Sequence, residues 1–282
     1  MILGIDWNVS SELIEGWSTP NKYGLLFVSG IILGFYVMKR MFKNEQVKDD
    51  VLDKLLIYIV ISTIIGARLG HVLFYGPYFD VVDASGLILE RGYFSHPIDI
   101  LKIYEGGLAS HGAAITILIA LYLFSKKVVE QPIIWILDRV SAPIAIATCF
   151  IRLGNLVNHE IIGNPTDLPW GFRFNQAGPE YLINGVQVFR HPAQLYEALI
   201  YLLLFAILLY LYWKTDAKMK PGILFGTYLV ITFVGRFLVE FVKVGQTERD
   251  EILAINTGQM LSIPFVLIGL YLLYRGIKYK KV

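Results

Sequence analysis

The sequence predicts an all-α integral membrane protein of seven transmembrane helices. The N-terminus is outside, the C-terminus is in the cytoplasm, and a small extracytoplasmic cap lies between spans four and five. Three observations carry this. Of the 282 residues, 55% are hydrophobic and only 17% are charged, against about 25% charged in ordinary soluble domains. The apolar residues gather into seven stretches, each close to the roughly 20 residues that a bilayer crossing takes. Lysines and arginines collect in alternate turns, as cytoplasmic loops do.

The stretches run from about Tyr23 to Phe42, Leu52 to Tyr75, Leu108 to Ser125, Pro132 to Val157, Pro192 to Trp213, Pro221 to Val242 and Thr257 to Tyr274. Ahead of them, Met1 to Pro20 holds Asp6, Glu12 and Glu15 but no lysine or arginine, so it lacks the basic start of a secretory signal. Trp7 and Trp17 there fit a segment at headgroup level. The whole chain, 1–282, reads as a single transmembrane domain with residues 158–191 inserted as the cap.

Orientation follows from the basic residues. Lys39, Arg40, Lys43 and Lys48 follow the first stretch, Lys126 and Lys127 the third, Lys214, Lys218 and Lys220 the fifth, and Arg275, Lys278, Lys280 and Lys281 form the tail. With seven spans all four groups share one side. The opposite segments are mixed or acidic, with Asp80, Asp83, Glu90, Asp99 and Glu105 in one and Glu248, Asp250 and Glu251 in another.

The unusual polar residues fall on the outer side: Arg68 and His71, His111, Arg152 with Asn155 and Asn158, His191 with Gln194 and Glu197, and Arg236 with Glu240. Charges at bilayer mid-depth cost roughly 2.5–3.5 kcal/mol on insertion scales and face a cavity or a partner. Five such groups in one leaflet point to a polar chamber. Between spans four and five, Asn164-Pro165 and Asn184-Gly185 are turn signals, and Val186 to Phe189 is expected to pair with Trp170 to Phe174.

The centre of the chain is Ile151-Arg152-Leu153-Gly154-Asn155-Leu156-Val157-Asn158-His159-Glu160-Ile161-Ile162-Gly163. Arg152 and Asn155 share a helix face, and a guanidinium beside amides and a carboxylate suits an anion. The plainer reading is a structural arginine paired with Glu160. Arg236 and Glu240 are four apart and also able to neutralise each other. Two arginines together favour phosphate, since the planar fork donates two parallel hydrogen bonds. His111 has a ring suited to proton transfer near neutral pH, or it is a polar cap. His191, Gln194 and Glu197 divide between scaffold and chemistry. Tyr23 has an aromatic-belt alternative, Arg68 that of capping span two or pairing with an outside acid, and Asp138-Arg139 reads as a local pair. Cys149, the single cysteine, reads as a small core residue and excludes an intrachain disulfide and a cysteine-based metal cluster. No zinc or catalytic-serine motif is visible. The net charge of +2 says little about partners.

These motifs together resemble the prolipoprotein diacylglyceryl transferase family. The resemblance rests on Arg152-Leu153-Gly154-Asn155 through Asn158, Glu160 and Gly163. It extends over Tyr23-Gly24, Arg68 to Tyr75, Gly106-Gly107 to His111-Gly112, Arg190 to Glu197, Arg236 to Phe241 and Gly258-Gln259 to Pro264. It implies a bacterial inner-membrane enzyme of lipoprotein biosynthesis with its active site on the extracytoplasmic side. The enzyme would move the diacylglyceryl group of phosphatidylglycerol to the lipobox cysteine of a prolipoprotein signal peptide, releasing glycerol phosphate. Arg152, Arg236 and His111 take the catalytic positions. Tyr23, Arg152, Asn155, Asn158, Glu160, Gly163 and Glu240 take substrate-binding ones. Membrane lipids are partners; no metal, organic cofactor or nucleic acid is implied. Ile151, Ala113 and Thr232 depart from the family pattern, which has glycine, glycine and tyrosine there.

The chemistry fits. A thiol with a pKa near 8.5 is a poor nucleophile until deprotonated, and His111 would take that proton. The thiolate attacks the glycerol carbon that bears phosphate, and Arg152 and Arg236 stabilise the departing phosphate oxygen. The rival class, a transporter or receptor, predicts inverted repeats or broken mid-membrane helices, which the sequence does not show. A second rival is an outer-leaflet lipid transferase with another acceptor.

Overall fold

The computed structural model describes residues 4–17, 19–103, 106–245 and 255–279. Met1, Glu105, Glu248, Asp250, Glu251, Lys280 and Lys281, read above, lie outside the described residues. The described residues hold seven α-helices: α1 (Lys22–Asn44), α2 (Asp49–Phe74), α3 (Ser110–Lys127), α4 (Ile133–Val157), α5 (Ala193–Lys214), α6 (Ile223–Val239) and α7 (Thr257–Lys278). Each falls on one of the seven apolar stretches. Five of them, α1, α2, α4, α5 and α7, are long and apolar enough to cross a membrane. Helix α6 is apolar but has 17 residues, and α3, with 18, is not among the five. The chain is a multi-pass membrane protein by helix length and composition.

It divides into two compact units. One takes the chain up to Met41 and from Leu137 onward; the other is Phe42–Ile136. In the first unit, α4 meets α1 where small residues allow it. A Cβ on Gly34 would stand 3.0 Å from Pro143 O, and one on Gly30 would stand 2.8 Å from Phe150 Cβ. Proline inside α4 removes one helical donor, and Pro143 lies at this crossing. Helix α6 packs on α7 through Gly226 and Gly269 and a Phe233–Phe265 stack with centroids 4.4 Å apart. Close approach over small residues is how membrane helices gain contact when lipid offers no hydrophobic drive between them.

Asp138, expected to pair locally with Arg139, has a further task. Its carboxylate accepts from the Gly222 and Phe225 amides, each at 2.8 Å, and so caps the start of α6. A helix N-terminus presents unsatisfied amides that favour an anion. Nearby, Met41, Leu204, Leu208, Tyr212 and Leu224 form a buried cluster. Cys149 is buried with Ile146 and Ala198.

The cap of this unit is a three-stranded sheet in the order β1 (Ile5–Trp7), β4 (Phe172–Phe174), β5 (Phe189–Arg190). The first pair is parallel, Ile5 to Phe172 through Trp7 to Phe174, and the second antiparallel. Trp7, expected at headgroup level, donates from Nε1 to Leu156 O at 3.0 Å, so the N-terminal segment is a strand of the cap. The expected partner of the Trp170 to Phe174 run is displaced. Arg173 faces Phe189 and Phe172 faces Arg190, while Val186 bridges Ile183 around Asn184-Gly185. Both turn residues have positive φ, 52° and 76°, as a tight hairpin turn requires.

In the second unit, α2 and α3 pack tightly. A Cβ on Gly112 would come 2.0 Å from Gly66 O, so glycine is obligatory there. The segment between them holds β2 (Val81–Val82) and β3 (Ile88–Glu90), paired antiparallel, and a 3-10 helix, Pro97–Leu101. Arg68 ties that segment down. Its Nε donates to Ile100 O at 2.8 Å, Nη1 to Gly106 O at 2.8 Å and Gly107 O at 3.1 Å, and Nη2 to Asp99 O. The expectation that Arg68 caps α2 or pairs with an outside acid is corrected: its partners are backbone carbonyls.

Candidate active site

The end of α4 supplies the first half of the site. Arg152 Nη1 donates to Asn155 Oδ1 at 3.3 Å, across one helical turn. Asn155, itself buried, donates from Nδ2 to Glu160 Oε2 at 3.0 Å, and Asn158 donates to Glu160 Oε1 at 3.0 Å. The chain turns back sharply after the helix so that Glu160 reaches Asn155. His159 and Ile161 both adopt left-handed backbone, with φ of 56° and 57°, a conformation costly for residues with a Cβ. His159 is anchored by its Nε2 contact with Val9 O at 2.9 Å.

The plainer sequence reading gave Arg152 to Glu160. The structure gives it to Glu197 on α5. Arg152 Nε is 2.8 Å from Glu197 Oε2, an ion pair by distance, although the N–H is not aligned for a hydrogen bond. Glu160 acts through the two asparagines.

The second half comes from α6 and the turn after it. Arg236 Nε lies 3.7 Å from Glu240 Oε1, so the i, i+4 pairing is present. Lys243, which sequence reasoning passed over, joins the two halves. Its Nζ donates to Glu240 Oε1 at 3.3 Å and stands 3.9 Å from Glu197 Oε1. One continuous network therefore runs Arg152, Glu197, Lys243, Glu240, Arg236. The side chains of Arg152 and Arg236 keep 20% and 42% of their surface exposed, against 6% for Lys243.

Several residues brace this network. Asn256 Nδ2 donates to Glu240 Oε2 at 3.2 Å and also forms, with Gln259, the capping box of α7. Gly258 lies so close that a Cβ would stand 2.6 Å from the Glu240 carboxyl carbon. Gln194, wholly buried, donates to Glu160 O. Gly163 is held between His191 and Val242; a Cβ there would meet Val242 O at 2.5 Å. Burial holds the His191 ring below the ordinary imidazole range, and its Nδ1 lies 3.2 Å from Tyr196 Oη. Tyr23, at the start of α1, lies against Gly154, where a Cβ would approach its ring to 2.7 Å.

His111 opens α3 in the second unit. Its Nδ1 is 3.3 Å from Tyr75 Oη and the two rings stack at 6.2 Å.

Residues 15–275 match the family model described as prolipoprotein diacylglyceryl transferase. The chain belongs to this family. It is similar along nearly its whole length to relatives named phosphatidylglycerol–prolipoprotein diacylglyceryl transferase. One from Porphyromonas gingivalis is 43% identical over 97% of this chain and 95% of its own. One from Tolumonas auensis is 42% identical over 97% and 98%, and one from Bacteroides fragilis 36% over 100% and 99%. The Arg152–Arg236 network brings two forked donors together, each with part of its side chain exposed.

Sequence reasoning misses Lys243 and leaves Glu197 between scaffold and chemistry. Lys243 follows the sixth stretch, where a basic residue reads as an ordinary flank. Glu197 sits in the first turns of a helix beginning after Pro192, where it reads as scaffold. Only the Arg152 contact distinguishes it.

Proposed function

We propose that this chain transfers the diacylglyceryl group of phosphatidylglycerol to the lipobox cysteine thiol of a prolipoprotein. The thiol loses its proton to a base, the sulfur attacks the glycerol carbon bearing phosphate, and the C–O bond to phosphate breaks with its electron pair. A thioether forms and glycerol phosphate departs. Family membership and the relatives' names support the reaction. The observation that carries the site is the joining of Arg152 and Arg236, from two helices, in one ionic network with part of each guanidinium side chain exposed.

In this reading Arg152 and Arg236 hold the phosphate and take up the charge that grows on its leaving oxygen. Asn155, Asn158 and Glu160 orient Arg152 and meet the headgroup hydroxyls. Tyr23, Gly163 and Glu240 shape the same binding region. His111 takes the thiol proton, a role resting on the sequence resemblance. The chain crosses the bacterial inner membrane seven times, N-terminus outside, with the site facing the extracytoplasmic side. Lipid enters sideways from the outer leaflet and the lipobox peptide arrives with its signal helix in the bilayer.

The test is a transfer assay with purified protein, labelled phosphatidylglycerol and a lipobox peptide. Label should move to the peptide thiol in the wild type and not in folded Arg152→Ala. Full activity of that variant would refute the clamp. Binding of lipid or peptide with no transfer at all would favour a transporter or receptor.

A further inference from the structure

The far ends of α1 and α5 carry a second group of cations. Trp213 lies roughly 24 Å along α5 from Glu197, at the 1.5 Å rise of a helix, and Arg40 stands at a similar remove from Tyr23 on α1. Both helices are long and apolar enough to cross a membrane, so these ends belong to the side away from the Arg152–Arg236 network.

Trp213 is the centre of the group. Arg40 Cζ lies 5.7 Å from its ring centre and Lys218 Nζ 5.9 Å; the ammonium is also 5.1 Å from the Tyr212 ring. Aromatic faces hold cations through the ring quadrupole without neutralising them. Arg40 is exposed, and among the described residues no carboxylate pairs with it. Asp216, in the turn after α5, is taken by Lys220 at 2.8 Å. The backbone beneath is fixed. Tyr212 Oη donates to Met41 O at 3.1 Å and joins the two helix ends, and Arg139 Nη2 donates to Lys218 O at 3.2 Å.

Exposed apolar surface runs from this platform back along both helices. On α1, Leu33 and Tyr36 share a face with Arg40 and are 42% and 62% exposed. On α5, Ala206 and Tyr210 share a face with Trp213 and are exposed as well. Cations on an indole above such stripes match a phosphate carried on acyl chains, whereas a soluble anion would leave the stripes unused. Basic pockets between membrane helices take anionic head groups on the same physical grounds.

We infer that Arg40, Lys218 and Trp213 form a binding site for the head group of an anionic phospholipid in the leaflet opposite the Arg152–Arg236 network, with its acyl chains along the α1 and α5 stripes. The inference stands apart from the reading of that network.

The test places full-length protein in phosphatidylcholine vesicles holding an increasing share of phosphatidic acid brominated on its acyl chains, and reads quenching of tryptophan fluorescence. Trp213→Phe supplies the signal of the other tryptophans, so the difference reports the lipid beside Trp213 alone. Brominated phosphatidic acid should quench Trp213 at a several-fold lower mole fraction than brominated phosphatidylcholine. Arg40→Gln should cut that preference about fivefold, the scale of one basic residue at an anionic surface. Arg40→Lys should keep most of it, and Arg40→Gln with Lys218→Gln should abolish it.

Equal quenching by the two lipids in the wild type would overturn the inference, as would an unchanged preference in Arg40→Gln. Loss of the preference in inorganic phosphate, but not in chloride of equal ionic strength, would assign the site to a soluble anion and overturn the lipid as occupant. Circular dichroism checks the fold of each variant. If the double variant does not fold, Arg40→Gln decides alone, since its side chain is on the surface.

Discussion

Glu197 Oε2 stands 2.8 Å from Arg152 Nε, across the gap between α5 and α4. The carboxylate is almost wholly buried, and its other oxygen faces Lys243. Two cations thus depend on one acid. Glu197→Ala is expected to destabilise the protein by about 3 kcal/mol, the low end for breaking a buried pair, because Arg152 retains some contact with solvent. The denaturation midpoint in detergent checks this. Transfer should fall at least as steeply as in Asn155→Ala, since Arg152 loses its main fixed partner.

Arg152→Lys keeps the charge and loses the fork. If the guanidinium donates two parallel hydrogen bonds to phosphate, transfer should drop by about a hundredfold, the cost of roughly 2.7 kcal/mol in the transition state. Kinetics in the folded variant measure it. Near wild-type kcat would show that charge alone suffices.

Arg68→Ala strips one donor set from the carbonyls of Asp99, Ile100, Gly106 and Gly107. Leaving acceptors unpaired costs about 1 kcal/mol or more each where water cannot reach them. The expected result is faster amide exchange and protease cleavage around Pro97–Leu101, with α5 and α6 unchanged. Arg68→Lys should rescue little, because one ammonium cannot span the four carbonyls.

The same segment should respond to acid. The Lys102 ammonium holds Asp99 below the ordinary carboxylate value of 3.8, the Gly92 amide does so for Asp80, and the Ser85 hydroxyl for Asp83. A carboxyl depressed by folding adds stability above its unfolded pKa and loses it as pH falls through the folded one. Local protection of residues 80–102 should therefore be flat from neutral pH to about 4.5 and fall below about 3.8. Amide exchange read across that range tests it; loosening near pH 6 would contradict the assignment.

Much of this was legible in the sequence because hydrophobic runs and helical spacing are local. All seven helices fall on the apolar stretches, and Arg152, Asn155 and Glu160 lie within a few residues of each other. The long-range contacts were not. Nothing in Ile5–Trp7 announces a parallel partner at Phe172–Phe174, since strand pairing at that distance leaves no local pattern. Arg68 carries no mark of its carbonyl partners, which lie over thirty residues away. Lys243 is the sharpest case: a lysine after an apolar helix reads as a topology signal, and only three-dimensional packing shows it wedged between two acids.

The parallel pairing of β1 with β4 sets an order on biogenesis. The first strand emerges from the ribosome long before its partner, so it must wait, unpaired, until the four helices between them and Phe172 have been made. A bulky fusion at the N-terminus would hold that strand back. It should leave insertion intact while delaying maturation of the cap.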